Sequence, residues 1–286
     1  MLWDCYPEKQ LPGGAPMNVA LHLVKNNIPA TMVSAVGNDE HGATLLGYLH
    51  DAGVETNLIQ VHNSMKTGLV KIDPIYDGFA KFNIMNPAAW DFISLTNDLK
   101  KSTNNVSAIV FGTLSARNAE SRKTLLALLH SSSEIKIFDL NFRQHYYSKE
   151  LVNELLLLST LLKLSDEELP IISEWYGFNG DEKDTLQQLS QRFSLECICL
   201  TKGAHGACVL KNNVFLKHPG YRVHTEDTTG AGDAFLAGFI SKQFNGESLE
   251  TALDYSSRLG AYVASKMGAT PDYKPNEIYQ TVKDLN

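Results

Sequence analysis

The sequence predicts an α/β protein whose mostly parallel sheet is covered by helices on both faces. Three observations carry this. Helical and strand-like patterns alternate over most of the chain. The strand candidates are short apolar runs, such as VSAIVFG at 106–112 and LECICLT at 195–201. Glycine-rich or polar turns follow several of them, which is where an open α/β sheet gathers ligand-binding groups.

Each element has its own signal. LPGGAPM (11–17) is broken by two prolines and two glycines, so it is a loop. A helix follows, with Val19, Ala20, Leu23 and Val24 apolar, and then TMVSAVG (31–37) reads as a strand. Residues 40–52 are helical, with Leu45, Leu46 and Leu49 on one side and Gly53 closing the end. LIQVHNS, KTGLVKID and FAKFNIM, between 58 and 85, are three short β-type runs without a helix between them, with DPIYDG as one turn. They are too few residues for a core of their own, so the expectation is a small β-sheet lid. About 4–12 and 58–90 would form it, inserted in a single domain spanning 1–286.

Alternation then resumes. VSAIVFG is a strand and NAESRKTLLALLH (118–130) a helix; EIKIFDLN (134–141) is a strand, 149–158 a helix, and LLKL (161–164) a buried strand before the acidic helix start SDEE. LECICLT leads to KGAHG, and GACVLK pairs with NNVFLK as a hairpin turning near Asn212-Asn213. AGDAFLAGFISKQF and a segment within 248–267 supply the last helices.

Composition bounds the function. With 286 residues the chain can bury a full core without disulfides or metals. Hydrophobic residues at 43% and charged residues at 20% exclude disorder, coiled coil and collagen. The 25 basic and 32 acidic residues leave a net charge of -7, which argues against nucleic-acid and membrane-surface partners. No apolar run is long enough to span a bilayer, and MLWDCYPEKQ lacks the apolar stretch of a signal peptide. Cys5, Cys197, Cys199 and Cys208 form no CxxC pair, so buried thiols and a reducing cytoplasm are expected.

The stretch richest in chemistry is EDTTGAGDAFLAGF (226–239). A glycine turn runs straight into an apolar helix, with Asp233 at the junction. Free amides at a helix start face an anion, and Gly230 and Gly232 let it approach the backbone. Neither the GxxxxGK[ST] nor the GxGxxG pattern is present. A carboxylate placed there takes a proton from an attacking hydroxyl, or it simply starts the helix. TKGAHG (201–206) is a second glycine turn; Lys202 and His205 either face phosphates or decorate a tight β-turn.

These motifs carry a family resemblance. DTTGAGDAF resembles the C-terminal signature of the ribokinase-like sugar kinases, the PfkB family. LPGGAPMNVALHL with VSAVGNDEHGATLLGYLHDAGV resembles its N-terminal signature. PAAWDF, FDLNFRQHYY and LKLSDEELP are similar to bacterial fructokinases in particular. The match covers almost the whole chain. It implies a ribokinase-like three-layer α/β/α sandwich and ATP-dependent phosphorylation of a free sugar, first of all D-fructose at its 6-hydroxyl. Asp233 would be the general base, with the amides of Gly230, Ala231, Gly232 and Asp233 as anion hole. Asp4, Gly13, Gly14 and Asn18 would line the sugar pocket, joined by Asn141 and Arg143. Trp90 would stack on a sugar face or only bury apolar area. Thr201, Lys202, Gly203 and Gly206 would lie near the nucleotide phosphates, and Ala261, Ala264 and Gly268 near the adenine. Glu168 would organise water around Mg2+. Asp227 and Thr229, with Ala264 and Gly268, would bind a monovalent cation, K+. The implied partners are the sugar, ATP and a second copy of the chain through the lid.

Two features depart from the family pattern. Ser165 stands where an asparagine is usual, in the motif ending at Glu168. Only Met1 and Leu2 precede Trp3, where relatives carry a complete apolar strand, so most of the first core strand is expected to be absent. Other acceptors (ribose, 2-keto-3-deoxygluconate, adenosine or another nucleoside) remain open, as does a non-catalytic sugar-binding protein on the same fold.

Overall fold

The computed structural model describes residues 1–76, 79–103, 106–131 and 135–282. Its elements in chain order begin with β1 (Leu2–Cys5), β2 (Gln10–Gly13), α1 (Ala15–Lys25), β3 (Ser34–Gly37), α2 (Glu40–Asp51), β4 (Ile59–His62), β5 (Gly68–Tyr76) and β6 (Phe79–Ile84). Then come α3 (Asn97–Ser102), β7 (Ala108–Gly112), α4 (Ala119–Ser131), β8 (Ile135–Asp139), α5 (Lys149–Leu157), β9 (Leu161–Ser165), α6 (Leu169–Tyr176) and α7 (Glu182–Phe193). The chain ends with β10 (Cys197–Thr201), β11 (Ala207–Lys211), β12 (Val214–His218), α8 (Ala231–Phe244), α9 (Leu249–Ala264) and α10 (Pro275–Thr281).

A six-stranded sheet of order β12-β11-β10-β9-β8-β7 forms the middle layer. β7 to β10 run parallel, and β11 and β12 close one edge antiparallel. Strand alternation sends side chains to two separate cores. Ile137, Leu161, Cys197 and Cys199 pack with α1, α8 and α9. Phe138, Leu162, Leu164, Ile198 and Leu200 pack with α4, α5, α6 and α7. These three layers are the expected sandwich, and three of the four cysteines are buried free thiols in it. The β11–β12 hairpin turns as the sequence indicates, with Asn212 at φ 48 and Asn213 at φ 66, the paired left-handed turn that asparagine tolerates.

The lid is a four-stranded sheet of order β2-β1-β5-β6. Its buried face holds Leu2, Val70 and Ile72, with Tyr6 and Ile84 against them. One expectation fails here. Residues 59–62, assigned to the lid by their run of β-type residues, instead pair parallel with β3 as a separate two-stranded sheet. Parallel pairing with a strand across α2 is a long-range choice that local periodicity does not encode. The DPIYDG turn reaches beyond the described residues.

Leu2–Cys5 belongs to the lid, where it pairs with β2 and β5. Among the described residues no strand joins β3 to β7, so the sheet is split there. An apolar groove of about 580 Å³ lies at the split, lined by Met32, Val33, Val110 and Phe111 and by α1, α4 and α8. The α-amine of Met1 donates to Ser34 Oγ on β3 at 3.3 Å, at the margin of this split.

Candidate active site

The C-terminal ends of β8 and β9 meet the first turn of α8. That turn begins at Gly230, the N-cap, with φ 78. A side chain there would be strained, and its Cβ would lie 2.7 Å from the backbone of Ala269. Thr228 O accepts from Ala231 N at 3.2 Å, and the first helical bond runs from Ala234 N to Gly230 O at 2.8 Å. The amides of Gly230, Gly232 and Asp233 are left without an acceptor among the described residues. Three of the four expected anion-hole amides are therefore free, while Ala231 turns back on the loop.

Asp233 lies buried beneath this turn. Asn18, on the buried face of α1, donates from Nδ2 to Asp233 Oδ2 at 2.8 Å. That bond fixes the amide orientation and leaves Asn18 Oδ1 as a buried acceptor without a partner. Burial, then the Asp139 carboxylate, push the Asp233 carboxyl up to about 6, against the pull of Lys163, Asn18 and Arg143. Asp4, at the third position of β1, is buried too; burial first, then Asp233 and Asp227, raise it to about 6. Its carboxylate lies against the backbone of Gly13, where a Cβ would sit 2.0 Å from Oδ2. Gly13 is thus the residue that admits Asp4. Gly14 caps α1 with φ 110.

Asn141 takes φ 42 just after β8. Arg143 is exposed and donates to its own neighbour Phe142 O at 3.1 Å, with its charge felt by Asp4 and Asp233. Glu168 is more deeply engaged than its expected role with metal-bound water requires. Its Oε1 accepts from Phe142 N at 2.6 Å and its Oε2 from Ser165 N at 2.8 Å. Ser165 Oγ accepts in return from Glu168 N at 3.3 Å. The pair forms a reciprocal cap, so serine supplies the acceptor this turn uses.

The nucleotide-side residues form a tight turn. Lys202 N donates to Gly206 O at 2.8 Å, and Gly206, with φ 86, leaves no room for a Cβ, which would lie 2.0 Å from His218 O. Gly203 also takes positive φ, at 53. Lys202 Nζ pairs with Glu182 Oε2 at 3.0 Å rather than standing free. Thr201 Oγ1 reaches Leu164 O at 3.4 Å. Ala261 and Ala264 lie on the last turns of α9, and Ala264 O accepts from the amides of Glu226 and Asp227. Asp227 accepts from Thr229 N, Gly268 N and the Tyr6 hydroxyl, which joins the lid to both loops. Among the described residues no cluster of three acidic, His or Cys side chains makes a metal site. Trp90 is buried with the Arg117 guanidinium 3.9 Å from its ring centroid and Asp91 pairing with Arg117. Trp90 Nε1 is buried without a hydrogen-bond partner among the described residues.

Two buried residues escaped the sequence reading. Lys163 and Asp139 are paired at 2.9 Å between β9 and β8. Lone charges of opposite sign in LLKLS and IFDLN were the available signal.

The arrangement offers a hydroxyl-accepting carboxylate next to free helix-start amides, at the rim of a lid. Comparison with known proteins identifies the family. The family model described as pfkB family carbohydrate kinase matches residues 8–276. The chain is 26% identical to the fructokinase of Escherichia coli over 273 residues, covering 90% of this chain and 87% of that protein. The structure of a fructokinase with bound ATP from Xylella fastidiosa has a TM-score of 0.84 at 22% identity, covering 98% of this chain and 96% of the other. A fructokinase from Vibrio cholerae O395 in its fructose, ADP and calcium ion bound form has a TM-score of 0.82 at 24% identity, covering 99% and 96%. The likeness to these structures is one of ribokinase-like fold.

Proposed function

This chain belongs to the pfkB family of carbohydrate kinases and is a sugar kinase, and on that premise we propose that it phosphorylates D-fructose at the 6-hydroxyl with Mg-ATP. The fructokinase names among its relatives support the acceptor. The observation that carries the chemistry is the buried Asn18–Asp233 pair at 2.8 Å beside the free amides of the 230–233 turn.

Asn18 aims the Asp233 carboxylate. The unpartnered Asn18 Oδ1 accepts from a second sugar hydroxyl, which fixes the acceptor's orientation. Asp233 takes the proton of the 6-hydroxyl as its oxygen bonds to the γ-phosphorus and the bond to the ADP oxygen breaks. The amides of Gly230, Gly232 and Asp233 hold the equatorial phosphoryl oxygens without reorganising. The turn fits that role because glycine, not a side chain, faces the incoming anion. Arg143 adds positive charge at the mouth. The 201–206 turn and the end of α9 flank the nucleotide; Mg2+ carried with ATP would offset charge on the phosphates, and Glu168 ties together the loops after β8 and β9. The lid excludes water, which competes as acceptor.

Release of ADP over a panel of free sugars and nucleosides, with Asp233→Asn as control, tests this. A fructose-dependent signal lost in the control is expected. A different active acceptor reassigns the sugar, and equal turnover in the control removes Asp233 as base. Because the Asp233 carboxyl titrates at about 6, it is protonated below that pH and ionised above it. Turnover is therefore expected to fall as pH drops through about 6.

A further inference from the structure

β8 and β9 set Asp139 directly opposite Lys163. The two side chains are 4% and 6% exposed and pair at 2.9 Å. Their strand neighbours are Ile137, Phe138, Leu162 and Leu164, all buried. A buried ion pair in such a setting adds little stability over apolar residues of the same size, because desolvation offsets the attraction. Asp139 Oδ2 is moreover buried without a partner, a cost that packing alone does not repay.

The pair's position gives it a use. A Cβ on Gly232 would lie 3.0 Å from Lys163 Nζ, so the ammonium stands directly under the first turn of α8. Glycine at 232 is what lets the cation come that close. We propose that Lys163, held by Asp139, is a positioning residue of phosphoryl transfer, placing a fixed positive charge directly under the 230–233 turn, beside the carboxylate of Asp233. The proposal rests on the assignment of Asp233 made above.

The surrounding charges define the test. Asp233 faces Asp139 from β8, Lys163 from β9, Asn18 from α1, Arg143 from the loop after β8, and Asp4 from β1. Lys163 in turn faces Asp139, Asp233 and Glu168, whose carboxylates hold it charged in spite of its burial. Asp139 and Lys163 act on Asp233 with opposite signs. Their removal must therefore move the acid limb of the kcat–pH profile in opposite directions.

Lys163→Met is expected to move that limb upward by about one pH unit or more, and Asp139→Asn to move it downward. The double variant Lys163→Met/Asp139→Asn removes both buried charges and keeps the test open if the single lysine variant fails to fold. Its limb is expected between those of the two single variants. Thermal unfolding of each protein separates folding from chemistry. Loss of kcat with an unmoved limb in folded Asp139→Asn and in the folded double variant would overturn the proposal. Turnover retained in Asp233→Asn, measured alongside, would instead remove the base on which it rests.

Discussion

Gly230 meets two demands at once, and its neighbours show which matters more. Its φ of 78 lies where side chains are strained, and its missing Cβ leaves room for the Ala269 backbone. Gly177 shares the first demand without the second: it ends α6 with φ 71 and has open space around it. Gly177→Ala is expected to cost about 1 kcal/mol from backbone strain alone. Gly230→Ala adds a backbone clash, which shifts the first turn of α8 and the amides it presents. Displacement of a reacting group by about 1 Å costs up to about a hundredfold in rate, so Gly230→Ala is expected to lose turnover far beyond its loss of stability. Urea unfolding and kcat on both variants check this; equal kcat in the two would mean that the turn plays no part in transfer. At this scale the sequence was informative. The TTGAGD turn displayed both glycines and the carboxylate in one stretch, because a helix-start anion site is a local motif. Asn18 is also visible in sequence, but its bond to Asp233 joins residues at opposite ends of the chain.

The elements were legible where their signals are local and obscure where they depend on pairing. The strand and helix runs of the main sheet follow from apolar periodicity, and the Asn212-Asn213 hairpin from turn chemistry. The β-type run at β4 predicts a strand but not its partner: it pairs with β3 and not with the lid, since partner choice is settled by packing across α2. The Lys163–Asp139 pair was hidden for the same reason: each charge is plain in its strand, but only the register brings them together. The connection from β9 into α6 shows how far a local motif can reach. Ser165 and Glu168 cap each other, while Glu168 also accepts from Phe142 N in the loop after β8. Ser165→Ala removes one long hydrogen bond and is expected to cost under about 1 kcal/mol. Glu168→Ala strands the amides of both Ser165 and Phe142 and is expected to cost on the order of 3 kcal/mol. Comparable losses in urea unfolding of the two variants would show that Glu168 does not join the two loops.

Across the whole molecule, α1 is tied to the segment after α9 by a buried histidine. His22 lies one helical turn beyond Asn18. Its Nε2 donates to Ala269 O at 2.9 Å, and its Nδ1 lies 2.9 Å from the Tyr273 hydroxyl, from which the neutral ring accepts. Ala269 is the residue packed against Gly230, which makes this tie a brace between the helix that aims the base and the turn that holds the phosphoryl group. Burial, reinforced by the Lys25 charge, lowers the His22 pKa from 6.5 to about 4. The unfolded chain takes up a proton as pH falls below 6.5, while the folded one does not until about 4. His22 therefore contributes its full stabilisation above 6.5, and that contribution is lost progressively between 6.5 and 4, by about 3 kcal/mol in total. Asp4 and Asp233, whose carboxyls are raised, titrate in an overlapping range with the opposite sign, so the comparison is made between proteins at matched pH. His22→Gln cannot titrate. Its deficit against the natural chain in urea unfolding is expected to be large at pH 7 and to shrink by about 3 kcal/mol at pH 4. A deficit that stays constant over this range would mean that His22 titrates in the folded protein as it does in the unfolded chain, and that burial in the brace between α1 and the 268–273 segment does not hold it neutral.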